Sequence, residues 1–526
     1  MIYLNLHNNS MKKSLFILLL IFPLLTSCDF LNNKNSDKPI DNNPQEGDNQ
    51  GEDKPKEDDP PVEDDPHNNN QDENNHPDDI FDESFPTGNK LFKAFFTYGK
   101  KIDITLEFTN EALSKMEEYG HTYGQNENYL KNEMYHPCTM KIDIDGSKAT
   151  YYEVGARLRG NTSRGDAYGF VDSEGHFDTS RNLHFKLNFA QTFDDVNDND
   201  YYIKPWASQE KKNDRDDRKF GKMKKIDFKF NRNHDGTFTK EIYALDAFRE
   251  EGILAQHANL VTVTFKSETD SRTMVYQALE AVDKQLVKKV YENDYSGDLY
   301  KCLYQNSKAD LTNTNNLGIE REYFRPTYGL KTNEKTSDMS LFKTLISNIN
   351  IKSISGEEYF DNISQYIDVD NFLKYSALCY IFGLPDDLRN NSNNYYLYFN
   401  KENKALFLPY DNYRCLGIRY GWDIDLKDVS WDDPYMKGSN NDFNSCPLIL
   451  RLISGGSNNS HPVHQTSKEN YHNYVISFAN KYLNKDKFND FTSAFEGIAP
   501  SIDINEAGDY NDTFEEYINH KNSVIN

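Results

Sequence analysis

Two neighbouring acids, one amide and a further acid in the C-terminal half of the chain have types that suit a divalent cation. Asp386 and Asp387 open an Asn-rich stretch that ends at Asn394, and Asp411 follows the apolar segment at 405–409. Carboxylate and amide oxygens are hard ligands, which Mg²⁺ prefers over the nitrogen and sulfur ligands typical of zinc. This region of the sequence therefore predicts a magnesium-type site.

A second segment has the composition of a phosphate-binding turn. Residues 157–164 read RLRGNTSR, so that Arg157 and Arg159 lie on one face of a predicted strand, and Arg164 follows a turn of small residues. Guanidinium groups and the backbone N–H groups of a tight turn both bind phosphate oxygens. A turn with a solvated basic edge would have the same sequence, and residue types alone do not separate these two interpretations.

A third segment carries an acid and a lysine close to predicted turns. Residues 279–284 read LEAVDK and place Glu280 at a strand end, and residues 297–301 read GDLYK. Lys186 lies in another predicted strand, FKL. These charges could face a ligand, although ordinary salt bridges would explain them equally well.

The pattern of apolar residues changes along the chain and predicts an α+β fold. In the first half, short alternating or clustered apolar runs predict strands at 101–108, 138–144, 154–159, 184–189 and 259–265. Helical spacing appears at 241–251, before Gly252, and again at 339–347 and 369–382, with one strand at 405–409. We therefore expect a sheet-rich N-terminal lobe and a helix-rich C-terminal lobe.

The order of acid, amide, strand and acid is also the order in which protein kinases present a catalytic base and two metal ligands. The chain has no G-x-G-x-x-G loop, no H-R-D and no D-F-G, which argues against a conventional kinase. Five segments of the chain, in their order, instead resemble the spore coat protein H (CotH) family of atypical secreted kinases. They are RLRGNTSR, LEAVDK, GDLYK, PDDLRNNSNNYYLY and LPYDNYRCLG. The resemblance covers roughly residues 98–460.

The resemblance implies an atypical, kinase-like two-lobed domain that uses ATP and Mg²⁺ or Mn²⁺ to phosphorylate Ser or Thr on secreted or surface proteins. By this resemblance Asp387 is the catalytic base, with Asp386 as the alternative. Asn394 and Asp411 are the metal ligands.

The resemblance also assigns residues to the nucleotide side of the site. Arg159 and Arg164 would flank the phosphates, and Lys186 and Glu280 are candidates for a lysine and carboxylate facing the nucleotide. Tyr413 stands where relatives commonly have a second acid, which would lower metal affinity. A pseudokinase acting as a surface adhesion or scaffold lipoprotein, or a purely structural envelope lipoprotein, therefore remain alternatives.

The N-terminal residues predict export. Residues 11–13 are a methionine and two lysines, and an apolar run ending in the sequence LTSC follows them. This order predicts a signal peptide at 1–28, with Met11 as the start. It also predicts cleavage before Cys28 and a lipid on that cysteine. We therefore expect a protein anchored in the cell envelope by its lipid.

Residues 29–85 predict a disordered tether, because they contain almost no large apolar side chains. They hold 19 acids against four lysines, so they account for most of the net charge of −25 and leave the globular region, 86–526, only mildly acidic. No basic surface for nucleic acid is indicated.

The cysteines that follow Cys28 do not form a recognisable site. They are odd in number and widely spaced, without a C-x-x-C pair, which predicts core thiols instead of disulfides or a structural zinc. They are Cys138, Cys302, Cys379, Cys415 and Cys446.

Overall fold

The computed structural model describes the following parts of the chain: residues 79–121, 133–194, 202–293, 295–321, 323–352, 354–420, 426–433, 446–455, 461–498 and 511–525. All of them belong to one unit of residues 69–526. The predicted signal peptide, Cys28 and most of the predicted tether lie outside the described residues. Ile80 and Phe81 already pair with a later strand, so regular structure begins a few residues before the expected boundary at 86.

The first half of the described chain consists mainly of strands. Its elements are β1 (Ile80–Phe81), α1 (Gly88–Phe95), β2 (Ile102–Glu107), α2 (Asn110–His121), β3 (His136–Ile144), β4 (Ser147–Leu158), a 3₁₀ helix (Thr162–Ala167), β5 (Phe185–Asn188), α3 (Gln209–Asp217), β6 (Lys225–Lys229), α4 (Lys240–Glu250), β7 (Ala258–Lys266) and β8 (Ser271–Glu280). We call residues 79–280 the barrel half.

The second half is mainly helical. Its elements are α5 (Lys284–Val290), β9 (Leu299–Cys302), β10 (Leu317–Gly318), β11 (Tyr328–Leu330), α6 (Ser340–Ile349), α7 (Gly356–Ile363), α8 (Val369–Ile381), β12 (Tyr395–Phe399), β13 (Ala405–Pro409), α9 (Pro447–Ile449), a π-helical turn (Leu450–Ser454), α10 (Gln465–Tyr482), α11 (Lys485–Ser493) and α12 (Phe514–Ile525). We call residues 284–525 the helical half. The predicted α+β fold with a sheet-rich first half and a helix-rich second half is confirmed.

The strands of the barrel half close on themselves. Among the described residues the sheet has the order β1-β4-β3-β2-β7-β8-β6-β5, and β5 pairs in addition with β4. Seven strands, β2 to β8, thus form a barrel, with β1 added at its side. Alternating burial in β2, where Ile102, Ile104 and Leu106 point inward, is the pattern of a strand with one face on a core. The apolar interior of this barrel is one of the main cores.

The largest apolar core lies in the helical half and includes most of α4. Local sequence explains where its helices start: Ser355 and Glu358 form a capping box at α7, and the Asp368 side chain accepts from the Asn371 N–H at α8. Because α4 packs in this core and follows β6 of the barrel, it connects the two halves.

A second sheet, in the order β10-β11-β9-β12-β13, stands beside these helices. The predicted core thiols are confirmed, because the five cysteines beyond Cys28 are free and buried. Within the described part of the chain, no helix has both the length and the apolar character needed to span a membrane.

Candidate functional site

The β12–β13 hairpin brings Asn394 and Asp411 to the same place. The two strands are antiparallel, and Tyr395 at the start of β12 pairs with Pro409 at the end of β13. The residue before β12 and the residues after β13 therefore lie at one end of the hairpin. Both Asn394 and Asp411 have positive φ, 49° and 58°, a conformation that asparagine and aspartate adopt more readily than most residues.

Asp386 lies at this same end and is held by asparagine amides. Its Oδ1 accepts from the Nδ2 atoms of Asn391 and Asn393, at 2.7 and 2.9 Å. Its Oδ2 accepts from Nδ2 of Asn394 at 2.8 Å. Burial raises the pKa of Asp386 to about 6, and the carboxylate of Asp411 contributes in the same direction. A carboxylate with a pKa raised in this way can accept a proton near neutral pH.

Asp387 points into the protein instead. Its Oδ1 accepts from the backbone N–H of Asn390 at 2.8 Å and from the side-chain amide of the same residue at 3.0 Å. Its backbone carbonyl accepts from the N–H groups of Asn391 and Asn393. Burial raises the pKa of Asp387, also to about 6. The sequence left open which of the two acids is the base; the large cavity described below is lined by Asp386 and not by Asp387.

Asp411 forms an ion pair with a lysine that the sequence analysis missed. Nζ of Lys229, in β6, lies 2.6 Å from Asp411 Oδ1. Burial would raise the pKa of Asp411, but Lys229 and Arg159 lower it to about 2. Asp411 is thus an anion at all physiological pH values.

Lys229 also pairs with Glu241, in the first turn of α4. The Nζ atom donates to Glu241 Oε1 at 2.6 Å, and both side chains are nearly inaccessible to solvent. Burial lowers the pKa of Lys229, but Asp411 and Glu241 outweigh it and keep the pKa above its usual value. The available signal was a lysine ending a short strand, KIDFK, followed by an acid at the start of an apolar helix, which is how kinases place their lysine and glutamate.

Arg159 and Lys186 meet at a buried acid of the barrel. Arg159 Nε and Lys186 Nζ lie 3.6 and 3.0 Å from Oδ1 of Asp227. Arg159 also donates to the hydroxyl of Tyr410 at 3.0 Å, as does Lys301 at 3.2 Å. Burial would raise the pKa of Tyr410, but these two cations lower it to about 8.

Arg164 and Glu280 have different surroundings. Arg164 lines the cavity, where its Nη2 lies 2.6 Å from Glu133, and its Nε donates to Gly160 O at 2.8 Å. Glu280 does not line the cavity, because its carboxylate contacts Nδ1 of His257, at 2.9 Å, and Nζ of Lys289. That Glu280 faces a nucleotide stays a prediction; in this structure its carboxylate points to His257 and α5 and does not line the cavity.

A cavity of about 780 Å³ is lined by residues of both the barrel half and the helical half. Its described lining has ten Lys or Arg side chains against six Asp or Glu, in a chain whose net charge is −25. Arg159, Lys186, Asp386, Asn394 and Asp411 all contribute. A basic cavity of this size suits a polyanion such as a nucleotide.

Asp386, Asn394 and Asp411 all line the cavity, and carboxylate and amide oxygens are the kinds of ligand that Mg²⁺ binds. No group of three or more His, Cys, Asp or Glu side chains among the described residues is arranged to hold a metal. Tyr413 occupies the position of the expected second acid, and its ring centroid lies 5.1 Å from Nζ of Lys229. The protein thus supplies two carboxylates and one amide.

No curated protein matches the chain. A family model described as CotH kinase protein matches residues 196–523, which is more than half of the chain. The matched range contains Lys229, Glu241, Asp386, Asn394 and Asp411, begins after the RLRGNTSR segment, and extends past the expected limit of 460. The chain therefore belongs to the CotH kinase family.

Proposed function

We propose that this protein is an atypical protein kinase that transfers the γ-phosphoryl group of ATP to Ser or Thr hydroxyls of exported or surface proteins. The observation that carries the proposal is the ion pair of Lys229 with Glu241 and Asp411, because Asp411 lines the same basic cavity as Asp386. Kinases require a strand lysine paired with a helix glutamate, a metal-binding acid and a base near the acceptor.

The barrel half and the helical half correspond, in this proposal, to the two kinase lobes, with the nucleotide between them. Arg159 lines the cavity, and Lys229 pairs with Asp411, which also lines it. Arg159 and Lys229 are the groups we assign to the phosphates. Lys186 and Arg164 add positive charge further along the barrel wall. Guanidinium and ammonium groups stabilise the charge that is spread over the phosphoryl oxygens during transfer.

Asp386 is the residue we assign to the acceptor hydroxyl. Its carboxylate is held in place by three asparagine amides, so it can orient the hydroxyl and accept its proton without first losing other partners. Asp411 and the side-chain oxygen of Asn394 are the groups that would hold Mg²⁺ or Mn²⁺. The bound cation would neutralise phosphate charge.

The location and the substrates are proposed from the sequence alone. A lipid on Cys28 and the acidic tether would keep the kinase domain near the outer side of a membrane, where exported and surface proteins are within reach. Nucleic acid is not among the proposed partners.

The proposal is tested with the purified full-length chain, γ-labelled ATP, Mg²⁺ or Mn²⁺ and a generic acceptor protein rich in Ser and Thr. We expect Asp386→Asn to reduce phosphate incorporation by roughly 100-fold or more, because it removes the proton acceptor. Asp387→Asn is the matched control: it is one residue away, keeps an oxygen that can accept from Asn390, and should retain most activity. If the wild type and Asp386→Asn incorporate equally little phosphate, the kinase proposal fails.

A non-catalytic surface scaffold is the second candidate, and Tyr413 at the position of the second acid favours it. A scaffold that no longer binds nucleotide would show no rise in melting temperature with ATP and Mg²⁺, whereas any ligand that binds only the native state must raise it. A clear ATP-dependent rise that Asp411→Ala abolishes would argue against this candidate.

A further inference from the structure

Two residues near the C-terminal end, Asn511 and Asp512, contact both parts of the chain that carry the Lys229 ion pairs. One residue separates them from the start of α12, and both are buried. On one side they contact the segment that leads into α4 and the first residue of that helix. On the other side they contact the segment that follows Asp411.

Asn511 uses each end of its side-chain amide for a different segment. Its Oδ1 accepts from the backbone N–H groups of Arg419 and Tyr420, at 2.8 and 2.9 Å. Its Nδ2 donates to the carbonyl oxygens of Asn233 and His234, also at 2.8 and 2.9 Å. One side chain thus connects the approach to α4 with the segment after Asp411.

Asp512 makes a second connection of the same kind. Its backbone carbonyl accepts from Nζ of Lys240 at 2.8 Å, and the same Nζ donates to Leu416 O at 2.9 Å. Its carboxylate lies 3.1 Å from Arg419 and 3.3 Å from Lys427. Lys240 is the residue before Glu241, so the position of Glu241 depends on this contact.

The proposed reaction requires that these two segments keep fixed positions relative to each other. Glu241 can pair with Lys229 only when the start of α4 lies against the barrel, and Asp411 reaches the cavity only when the chain after it is fixed. In protein kinases, a phosphorylated side chain in the segment after the metal-binding acid orders that segment by pairing with arginine, and helix position is controlled with it.

We propose that Asn511 and Asp512 replace that phosphorylated side chain, so that the site is assembled permanently and needs no covalent activation. The carboxylate of Asp512 supplies the anion between Arg419 and Lys427, and Asn511 fixes the approach to α4. Both are positioning residues, because neither lines the cavity. This inference rests on the proposed kinase function.

Two substitutions separate the two connections. Asn511→Asp keeps the acceptor for Arg419 and Tyr420 but loses both donors to the α4 side. Asp512→Asn keeps the backbone contacts and removes only the charge. For each we expect kcat to fall roughly tenfold or more, and amide hydrogen exchange at 233–242 and 414–420 to rise by about the same factor.

The matched control is Asn259→Asp. Asn259 is buried, its Nδ2 donates to the carbonyl oxygens of Phe95 and Thr97, and its Oδ1 accepts a backbone N–H, but it lies outside the cavity lining. It should lower the melting temperature without changing exchange at 233–242 and 414–420, or kcat at a temperature where it is fully folded. Asp512→Glu, which keeps the charge, should recover part of the activity that Asp512→Asn loses.

Phosphatase treatment of the purified wild-type chain should leave activity unchanged, and mass spectrometry should find residues 411–433 unmodified in the active protein. A requirement for phosphorylation in that range would overturn the proposal. It would also be overturned if Asn511→Asp and Asp512→Asn behaved like Asn259→Asp in the exchange measurement. A wild type that incorporates no phosphate refutes the kinase function, while the exchange data still decide whether Asn511 and Asp512 couple the two segments.

Discussion

The ammonium of Lys229 and the carboxylate of Glu241 form a buried ion pair at 2.6 Å that joins the barrel to helix α4. The exposed fractions of the two side chains are 5% and 2%. Lys229 also lies at the same distance from Asp411, so a single cation neutralises two carboxylates, of which Asp411 lines the cavity. Stability and the proposed chemistry therefore depend on the same residue.

Lys229→Met should be strongly destabilising. It removes the ion-pair partner that Glu241 and Asp411 share, and removal of one partner of a buried pair costs about 3–5 kcal/mol. The double variant with Glu241→Gln should recover part of this loss, because it removes one uncompensated charge, but should not recover activity. Urea denaturation measures the free energy of unfolding of each variant.

Lys186→Met is the control for this prediction. Lys186 also pairs with a buried carboxylate, Asp227, but Arg159 remains near that carboxylate after the substitution. We therefore expect a smaller loss than for Lys229→Met. If Lys186→Met lowers the free energy of unfolding as much as Lys229→Met does, or more, the shared ion pair of Lys229 is not the dominant one.

Asp386 gives the stability of the protein a defined pH dependence in cation-free buffer. Burial, Asp411 and Asp387 raise the pKa from 3.8 to about 6, so the folded state holds this proton more tightly than the unfolded state does. The contribution of protonated Asp386 to the free energy of unfolding is fully present below about pH 4 and is lost as the pH rises through about 6. Asp386→Asn should therefore match the wild type near pH 4 and exceed it near pH 8.

The same substitution removes the proposed base, so the variant should gain stability at neutral pH while losing activity. For the wild type, kcat/KM should rise with pH through about 6, because only the deprotonated carboxylate accepts a proton. Urea titrations at both pH values, with a chelator present, decide the first part. If Asp386→Asn is less stable than the wild type near pH 8, the charged carboxylate of Asp386 does not destabilise the folded state, and the prediction is wrong.

Local elements could be predicted because their signals are local. The alternation at 101–108 appears as β2, and the helical spacing at 241–251 appears as α4, each within a residue or two. The strand predicted at 405–409 is β13. The sequence also placed Asn394 and Asp411 in one predicted magnesium-type site, and the β12–β13 hairpin brings the two residues to the same end.

Closure of the barrel was not predictable in this way. It depends on the pairing of β4 with β5, in which Arg157 lies opposite Lys186 and Leu158 opposite Phe185. Nothing in the local sequence selects that partner. The seven-stranded barrel is therefore a finding of the structure.

The same reason explains why the sequence indicated neither the role of Lys229 nor the contacts that Glu280 makes. The polar residues of β6, KIDFK, are typical of a solvent-exposed strand, but both faces of β6 are covered by the rest of the protein. Ile226 and Phe228 lie in the barrel core, and on the other face Asp227 and Lys229 pair with Lys186 and Glu241. For Glu280, contacts with His257 and Lys289 decide its orientation, and these lie far from it in sequence or on another element.

Cys28 should determine membrane attachment. Growth with a labelled fatty acid is expected to label the wild type and not Cys28→Ala, because the thiol is the predicted acceptor of the lipid. Cys28→Ser is the closer control for the size of the side chain. If Cys28→Ala stays equally membrane-bound, the predicted anchor is wrong, although the proposed kinase chemistry is unaffected.

Tyr413 should limit the affinity for the divalent cation. Tyr413→Asp restores a carboxylate near Asp411, and each added charged oxygen ligand strengthens binding of a hard cation. We expect the Mg²⁺ concentration that gives half of the ATP-dependent rise in melting temperature to fall by roughly tenfold, about 1.4 kcal/mol in binding free energy. Tyr413→Asn introduces a side chain of the same shape as aspartate but without its charge, and should give a much smaller change. If both substitutions raise the required Mg²⁺ concentration, Tyr413 supports the site through its contact with Lys229, and the loss of a second acid is not what sets metal affinity.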